Sequence, residues 1–359
     1  MTTDNQVRHT FEKGLLLNDA EMERFHARNH NSANWSDVVT RVKTWNDEHK
    51  PFDRGLRLPL LQYVVQEGTG GALVPINQEL VKDLPQANLM EHAHDQLLSR
   101  LDFQKKTFEK LPPKLQILNL NYLIQNHYDK EVLLRCIDGN QVRGLLSTDY
   151  SPFDDLELVE ALAGFPDIDT ANVRWDYSDD KVLHCQITFP STATEIRVGD
   201  VVETGLHITN SPVGVRSVTI AALTRVLLCS NMAIGDGGGG GFFRFRHVGD
   251  PDRLRDHVKN AIESAKISTV KMVEQFRASV NKAIEEPATY LENLAKDKTN
   301  DMTQAQFKAA LNAFLEAPEP NLWGVTNAIT KAAHTNFGGE ARYEMERLGA
   351  KVLDKGLRN

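Results

Sequence analysis

The sequence predicts an α+β fold: a mainly antiparallel sheet packed with helices, plus an all-helical C-terminal region. Three observations carry this expectation. Strand-length runs rich in Val, Ile, Thr and aromatic residues crowd the middle of the chain. Asp138-Gly139-Asn140-Gln141 joins two of them with the glycine a hairpin requires. Beyond Asp250 the apolar period is helical to the end. The chain divides accordingly into a helical N-terminal extension (1–52), a mixed α+β core (53–249) and a helical C-terminal region (250–359).

Each element has its own justification. Helical stretches are expected at Asp19–Asn29 and Ser36–His49, the second with Val38, Val39, Val42 and Trp45 on one face. From Arg54 to Asp83 short apolar runs broken by Gly68, Gly70, Gly71 and Pro75 suggest extended pieces around a loop. Leu89–Leu101 reads as a helix, and Pro112-Pro113 opens another through Leu123. Val132–Ile137 and Val142–Leu146 flank the hairpin loop, and a helix at Leu156–Phe165 precedes strands at Asn172–Tyr177, Lys181–Phe189 and Val201–Thr209. In the second of these, Val182, His184, Gln186 and Thr188 alternate with Leu183, Cys185, Ile187 and Phe189, so one wet, exposed face is expected. Val215–Ile220 and Val226–Ser230 extend the sheet, with a stretch between them open to a helical reading. Asp250-Pro251 then caps a long helix whose apolar stripe runs through Leu254, Val258, Ile262, Ala265, Val273, Phe276 and Val280. Helices at Thr303–Ala317, Leu322–Ala333 and Glu340–Lys355 complete the chain.

Composition narrows the class of object. With 359 residues, 41% hydrophobic and 25% charged, most of the chain can bury a core. The net charge of −8 excludes a protein that coats nucleic acid by overall attraction, so any anion-binding surface is local. The three cysteines, Cys136, Cys185 and Cys229, are an odd number without zinc-binding spacings, which fits a reducing cytoplasm. No signal peptide and no apolar run of about 18 residues is evident, so no membrane partner is expected.

The most unusual segment is the run of five glycines, Gly237–Gly241, leading into Phe242-Phe243-Arg244-Phe245-Arg246-His247. Rings interleaved with guanidinium groups offer stacking faces and phosphate partners at alternate strand positions. Residues 236–282 hold nine Lys/Arg against six Asp/Glu, whereas the remainder holds 32 against 43. The expected nucleic-acid contacts are Arg216, Arg244, Arg246 and Lys259 to phosphates and Phe243 or Phe245 to bases. The plainer reading makes this a flexible hairpin tip with core phenylalanines and solvated arginines.

Other candidates carry less. Residues 148–180 hold ten acidic groups and one basic one, so Asp149, Asp154, Asp155 and Glu157 would suit a Mg²⁺-dependent nuclease. Ser151-Pro152-Phe153-Asp154 equally resembles a capped helix start, where acidic residues favour the dipole. His92 and His94, two apart on a helix, point to different sides, and His184 and His207 read as ordinary wet-face residues. Ser230 and Cys229 lack the context of an activated nucleophile. No catalytic residue, metal or cofactor is expected.

Several segments taken together resemble a known family. They are Phe103–Leu123 with Leu111-Pro112-Pro113 and Leu118-Asn119-Leu120-Asn121-Tyr122; Asp149–Asp155; Val213-Gly214-Val215-Arg216-Ser217; Leu228-Cys229-Ser230-Asn231-Met232; and Leu322–Thr330. In that order they resemble the phage/plasmid-like protein family, a domain of unknown function found on prophages, plasmids and phages, over about Leu89 to Lys351. Cys229-Ser230-Asn231-Met232 stands where Cys-Thr-Asn-Gly is more usual, and the glycine tract looks like a local elaboration. The resemblance implies a mobile-element setting in the cytoplasm of a bacterial host, similar in context to single-strand annealing proteins that form arcs or rings. The leading expectation is therefore a non-hydrolytic homo-oligomer that binds single-stranded DNA and assists annealing or recombination. A non-catalytic assembly protein, using the Leu254–Val280 stripe as an interface, and the metal-dependent nuclease are the alternatives.

Overall fold

A computed structural model describes residues 30–66, 70–79, 81, 84, 86–178, 181–197, 200–226, 232–235, 241–300 and 302–358, built around two β-sheets. The helix expected at Asp19–Asn29 lies outside these residues. Strand β1 (His30–Asn34) leads into helix α1 (Trp35–His49), whose N-terminus is capped by the Asn34 side chain accepting from the Asp37 amide.

The first sheet takes β2 (Phe52–Arg57), β3 (Leu61–Gln66), β4 (Gly70–Pro75), β5 (Ala87–Leu89), β6 (Glu131–Ile137) and β7 (Gln141–Ser147) in the order β2-β6-β7-β5-β4-β3. It is antiparallel except where β5 meets β7. The β6–β7 hairpin turns through Asp138 and Gly139 at φ 52° and 80°, the left-handed pair that the loop sequence favours. Between β5 and β6 come α2 (Glu91–Arg100), the single turn α3 (Lys105–Phe108) and α4 (Pro113–His127). Leu97, Leu120 and Ile124 from these helices join Leu61, Leu73 and Leu134 in one core.

The second sheet is antiparallel throughout. After α5 (Asp155–Leu162) it takes β8 (Asn172–Ser178), β9 (Val182–Arg197), β10 (Asp200–Asn210), β11 (Val218–Val226), β12 (Met232–Ile234) and β13 (Phe242–Phe245), in the order β1-β8-β9-β10-β11-β12, with β13 also on β11. The stretch after Ile220, left open to a helical reading, is strand. Val218, Ile220, Ala221 and Leu223 alternate between two buried faces, which keeps the segment extended as one strand.

The C-terminal helices are α6 (Pro251–Val280), α7 (Pro287–Lys296), α8 (Gln304–Glu316), α9 (Leu322–Asn336) and α10 (Gly339–Arg358). Asp250 caps α6 by accepting from the Asp252 amide, and Pro251 occupies its first position. Leu254, Val258, Ile262 and Ala265 pack on the sheet, while Val273 and Phe276 join the core of α7–α10. Each large side chain so buried stabilises the fold by roughly 1.5–3 kcal/mol. This overturns the stripe as an assembly interface: its residues are consumed inside the chain.

A second expectation is also overturned. The face of β9 carrying His184, Gln186 and Thr188 is not exposed to water; all three side chains are buried, because α10 lies across that side of the sheet. No described helix is long and apolar enough to cross a membrane.

Candidate nucleic-acid interface

Among the described residues strand β13 forms an edge, paired on one side to β11 through Val218↔Phe245, Thr219↔Arg244, Ile220↔Phe243 and Ala221↔Phe242. Strand alternation sorts its side chains. Phe243 and Phe245 are half-buried against the core beneath α6, and the Phe245 ring stacks with His257, centroids 5.7 Å apart. Hydrophobic contact therefore holds β13 down, and the two rings are turned toward the protein rather than out to solvent. Arg244 points to the other side, exposed, with its Nε donating to Ser217 Oγ at 3.3 Å.

Arg246 and Lys259 are also exposed, and none of the three meets a carboxylate among the described residues. This sets them apart from Arg135, Arg143, Arg197, Arg255 and Arg342, which all hold acidic partners. Arg216 belongs with that second group, because its guanidinium is paired to Glu340.

Among the described residues, β12 and β13, which flank the glycine tract, do not pair with each other. Strands β12 and β13 both run antiparallel to β11, with Ile234 opposite Leu223 and Phe242 opposite Ala221. The Gly235 amide donates to the Ala222 carbonyl at 2.8 Å, and the Ala222 amide donates to the Gly241 carbonyl at 2.9 Å. The chain thus leaves one edge strand and returns to it at a single residue of β11; residues 236–240 lie outside the described set. Gly241 is dictated by close approach, since a Cβ there would come within 2.6 Å of Ser268 Cβ on α6.

Arg216 leads into a buried network that the sequence reading missed. Across the sheet, Asp176, His184, Thr209, Thr219 and Arg244 form one row, and Arg174, Gln186, His207, Ala221 and Phe242 form the next. Helix α10 lays Glu340, Arg342, Tyr343 and Glu346 over them. His184 bridges Glu340 Oε2 at 3.0 Å and His207 Nε2 at 3.2 Å. With both rings neutral, His207 Nε2–H donates to His184 Nδ1, and His184 Nε2–H donates to the carboxylate. The Tyr343 ring stacks on His184 with centroids 3.7 Å apart, and its hydroxyl and Arg342 both donate to Asp176 at 3.0 Å. Gln186 donates to Glu346 at 2.7 Å.

Burial lowers the pKa of His184 and drives that of His207 well below the ordinary range. Burial, the largest single influence, would raise Glu340, but the hydrogen bond from His184 and the charges of Arg216 and Arg347 together outweigh it and the carboxyl is lowered. The two imidazoles are 2% and 3% exposed, so the network clasps α10 to the sheet rather than presenting groups to a substrate.

The carboxylates of the nuclease reading have other occupations. Asp154 receives Arg135 and Arg143 and forms a capping box with Glu157 at the start of α5. Burial by itself would raise the Asp154 carboxyl, but the charges of Arg143 and Arg135 hold it down at about 2. Glu157 pairs with Arg255 at 2.9 Å, Asp155 is buried, and Asp149 sits 3.4 Å from the Ser147 hydroxyl. Among the described residues no three His, Cys, Asp or Glu side chains are placed to hold a metal ion. His92 and His94 reach different partners, the Val213 carbonyl and the Tyr63 hydroxyl. Cys136 and Cys185 are buried thiols, and Cys229 and Ser230 lie outside the described residues.

Comparison with family models, curated proteins and solved structures returned no match to this chain.

Proposed function

We propose that the chain binds single-stranded nucleic acid along the β13 edge, without cleaving it. The observation that carries this reading is the pair of exposed guanidiniums, Arg244 and Arg246, with no carboxylate partner among the described residues of a protein whose net charge is −8. Guanidinium groups left unpaired in an acidic molecule are available to phosphate, which they bind through charge-assisted hydrogen bonds. Lys259, exposed on α6, supplies a further positive charge on the helix that packs against β13. Phe243 and Phe245 pin the strand from beneath, so the reading rests on phosphate contacts rather than on base stacking. Arg216, already neutralised by Glu340, supports the clasp and not the strand.

The resemblance to the phage/plasmid-like family supports the choice of DNA and of an annealing or recombination role in a bacterial cytoplasm. The experiment is fluorescence anisotropy of a labelled oligothymidylate at low salt. Binding at micromolar concentration or tighter is expected, weakening by roughly tenfold or more in the Arg244→Ala/Arg246→Ala protein. Absence of binding at low salt rejects the reading.

A further inference from the structure

Helix α10 brings a further guanidinium to β13. Phe242 and Arg244 stand two residues apart on that strand, so both turn to the side that α10 covers, while Phe243 and Phe245 turn toward α6. Phe242 packs with Ala221, Leu223 and Tyr343, and its half-buried ring carries the guanidinium of Arg347, whose Cζ lies 5.5 Å from the ring centroid. Arg347 is exposed and, like Arg244, meets no carboxylate among the described residues. Sequence spacing did not single it out, because Arg244 and Arg347 lie far apart in the chain.

The local charge balance differs from that of the chain. The segments that meet here, 211–217, 242–247 and 339–347, hold five Lys/Arg against three carboxylates, whereas the whole chain holds 41 against 49. Those three carboxylates are engaged: Glu346 is fully buried beside Arg342, Glu340 is held by Arg216 and His184, and Glu344, one turn before Arg347, has a partner of its own and forms no ion pair with Arg347. A guanidinium resting on a ring is held in place before a ligand arrives, which lowers the cost of ordering it. Arg244 is steadied likewise by Ser217 Oγ at 3.3 Å. Two fixed cations therefore share one face of β13, over strand positions about 7 Å apart, and Arg246 follows just past the end of the strand.

We infer that Arg347 is a further phosphate ligand, and that the nucleic-acid strand runs along the α10 side of β13, from Arg347 over Phe242 past Arg244 to Arg246. This rests on the binding proposed above for the β13 edge and adds a path to it: the strand crosses from the sheet onto α10. A guanidinium that only braced α10 against β13 would make the same contact with Phe242 but would release no counterion when nucleic acid binds. The salt dependence of binding therefore separates the two roles.

Fluorescence anisotropy of a labelled oligothymidylate, repeated over a range of salt with the full-length chain, tests this. Arg347→Gln is expected to bind roughly fivefold more weakly at low salt and to lower the slope of log K against log salt by about 0.7, the share of one phosphate contact on a single strand. Arg347→Lys keeps the charge and is expected to keep the slope. An unchanged slope in Arg347→Gln overturns the inference, whether its affinity holds or falls through a looser α10, and so does a slope that falls equally in Arg347→Lys. The β13 reading survives either result as long as Arg244→Ala/Arg246→Ala still binds more weakly, whereas absence of binding by the unaltered chain removes both. Should Arg347→Gln lose its helical circular dichroism, Arg347→Met, which keeps an unbranched stem over Phe242, carries the same test.

Discussion

Asp154 illustrates how one carboxylate is committed to structure. It joins Arg135, 1% exposed, and Arg143, 5% exposed, to the N-terminus of α5. Removing its charge strands two buried cations, although Asp53 still reaches Arg135 at 2.9 Å. Asparagine keeps the helix cap, so Asp154→Asn isolates the electrostatic loss. A urea melt at neutral pH is expected to lose about 3 kcal/mol of stability; a change below about 1 kcal/mol, the size of a surface pair, would contradict this account. The helix-start reading of Ser151–Asp154 was open to sequence analysis, because the capping pattern is local. The arginine partners were not, because β6 and β7 bring them to Asp154 through sheet pairing that spacing cannot reveal.

Helices and strands followed their periodicity closely, as at α6, where an Asp-Pro start and an apolar stripe marked a 30-residue helix. The error at β9 has a physical cause: His184 and Gln186 look wet until Glu340 and Glu346, more than 150 residues later, supply their hydrogen bonds. Polar alternation on a strand reports a polar face, and water is one of two ways to satisfy it. The clasp predicts a pH dependence. His184 and His207 face Asp176 and Arg174 from β8, Arg216 from the β10–β11 loop, and Glu340, Arg342, Tyr343 and Arg347 from α10. Their pKa values are depressed in the folded chain, so below about 6.5 the unfolded chain binds more protons and stability falls with falling pH, by up to ~1.4 kcal/mol per unit for each imidazole. His247, held at about 4 by burial, adds to the same slope. Urea melts between pH 7 and pH 5 are expected to show a shallower decline in His207→Gln than in the unaltered chain; parallel declines would argue against the buried neutral pair.

At the scale of the molecule, periodicity implied an antiparallel sheet and a helical C-terminal region but not two sheets, nor the crossing of α10 over the second one. Those depend on contacts between residues far apart in the chain. The glycine-aromatic-arginine segment was conspicuous from composition alone, whereas its place on an edge strand, with rings inward and guanidiniums outward, emerged only from the pairing with β11. The central claim is that these two guanidiniums are phosphate ligands in a chain of net charge −8. Its most direct test is the slope of log K against log salt for single-stranded DNA, measured in parallel for the unaltered chain and Arg244→Ala/Arg246→Ala. Each lost phosphate contact on a single strand removes about 0.7 from the slope, so a decrease of about 1.4 is expected. Equal slopes and equal affinities for the two proteins would place the strand elsewhere and contradict the account.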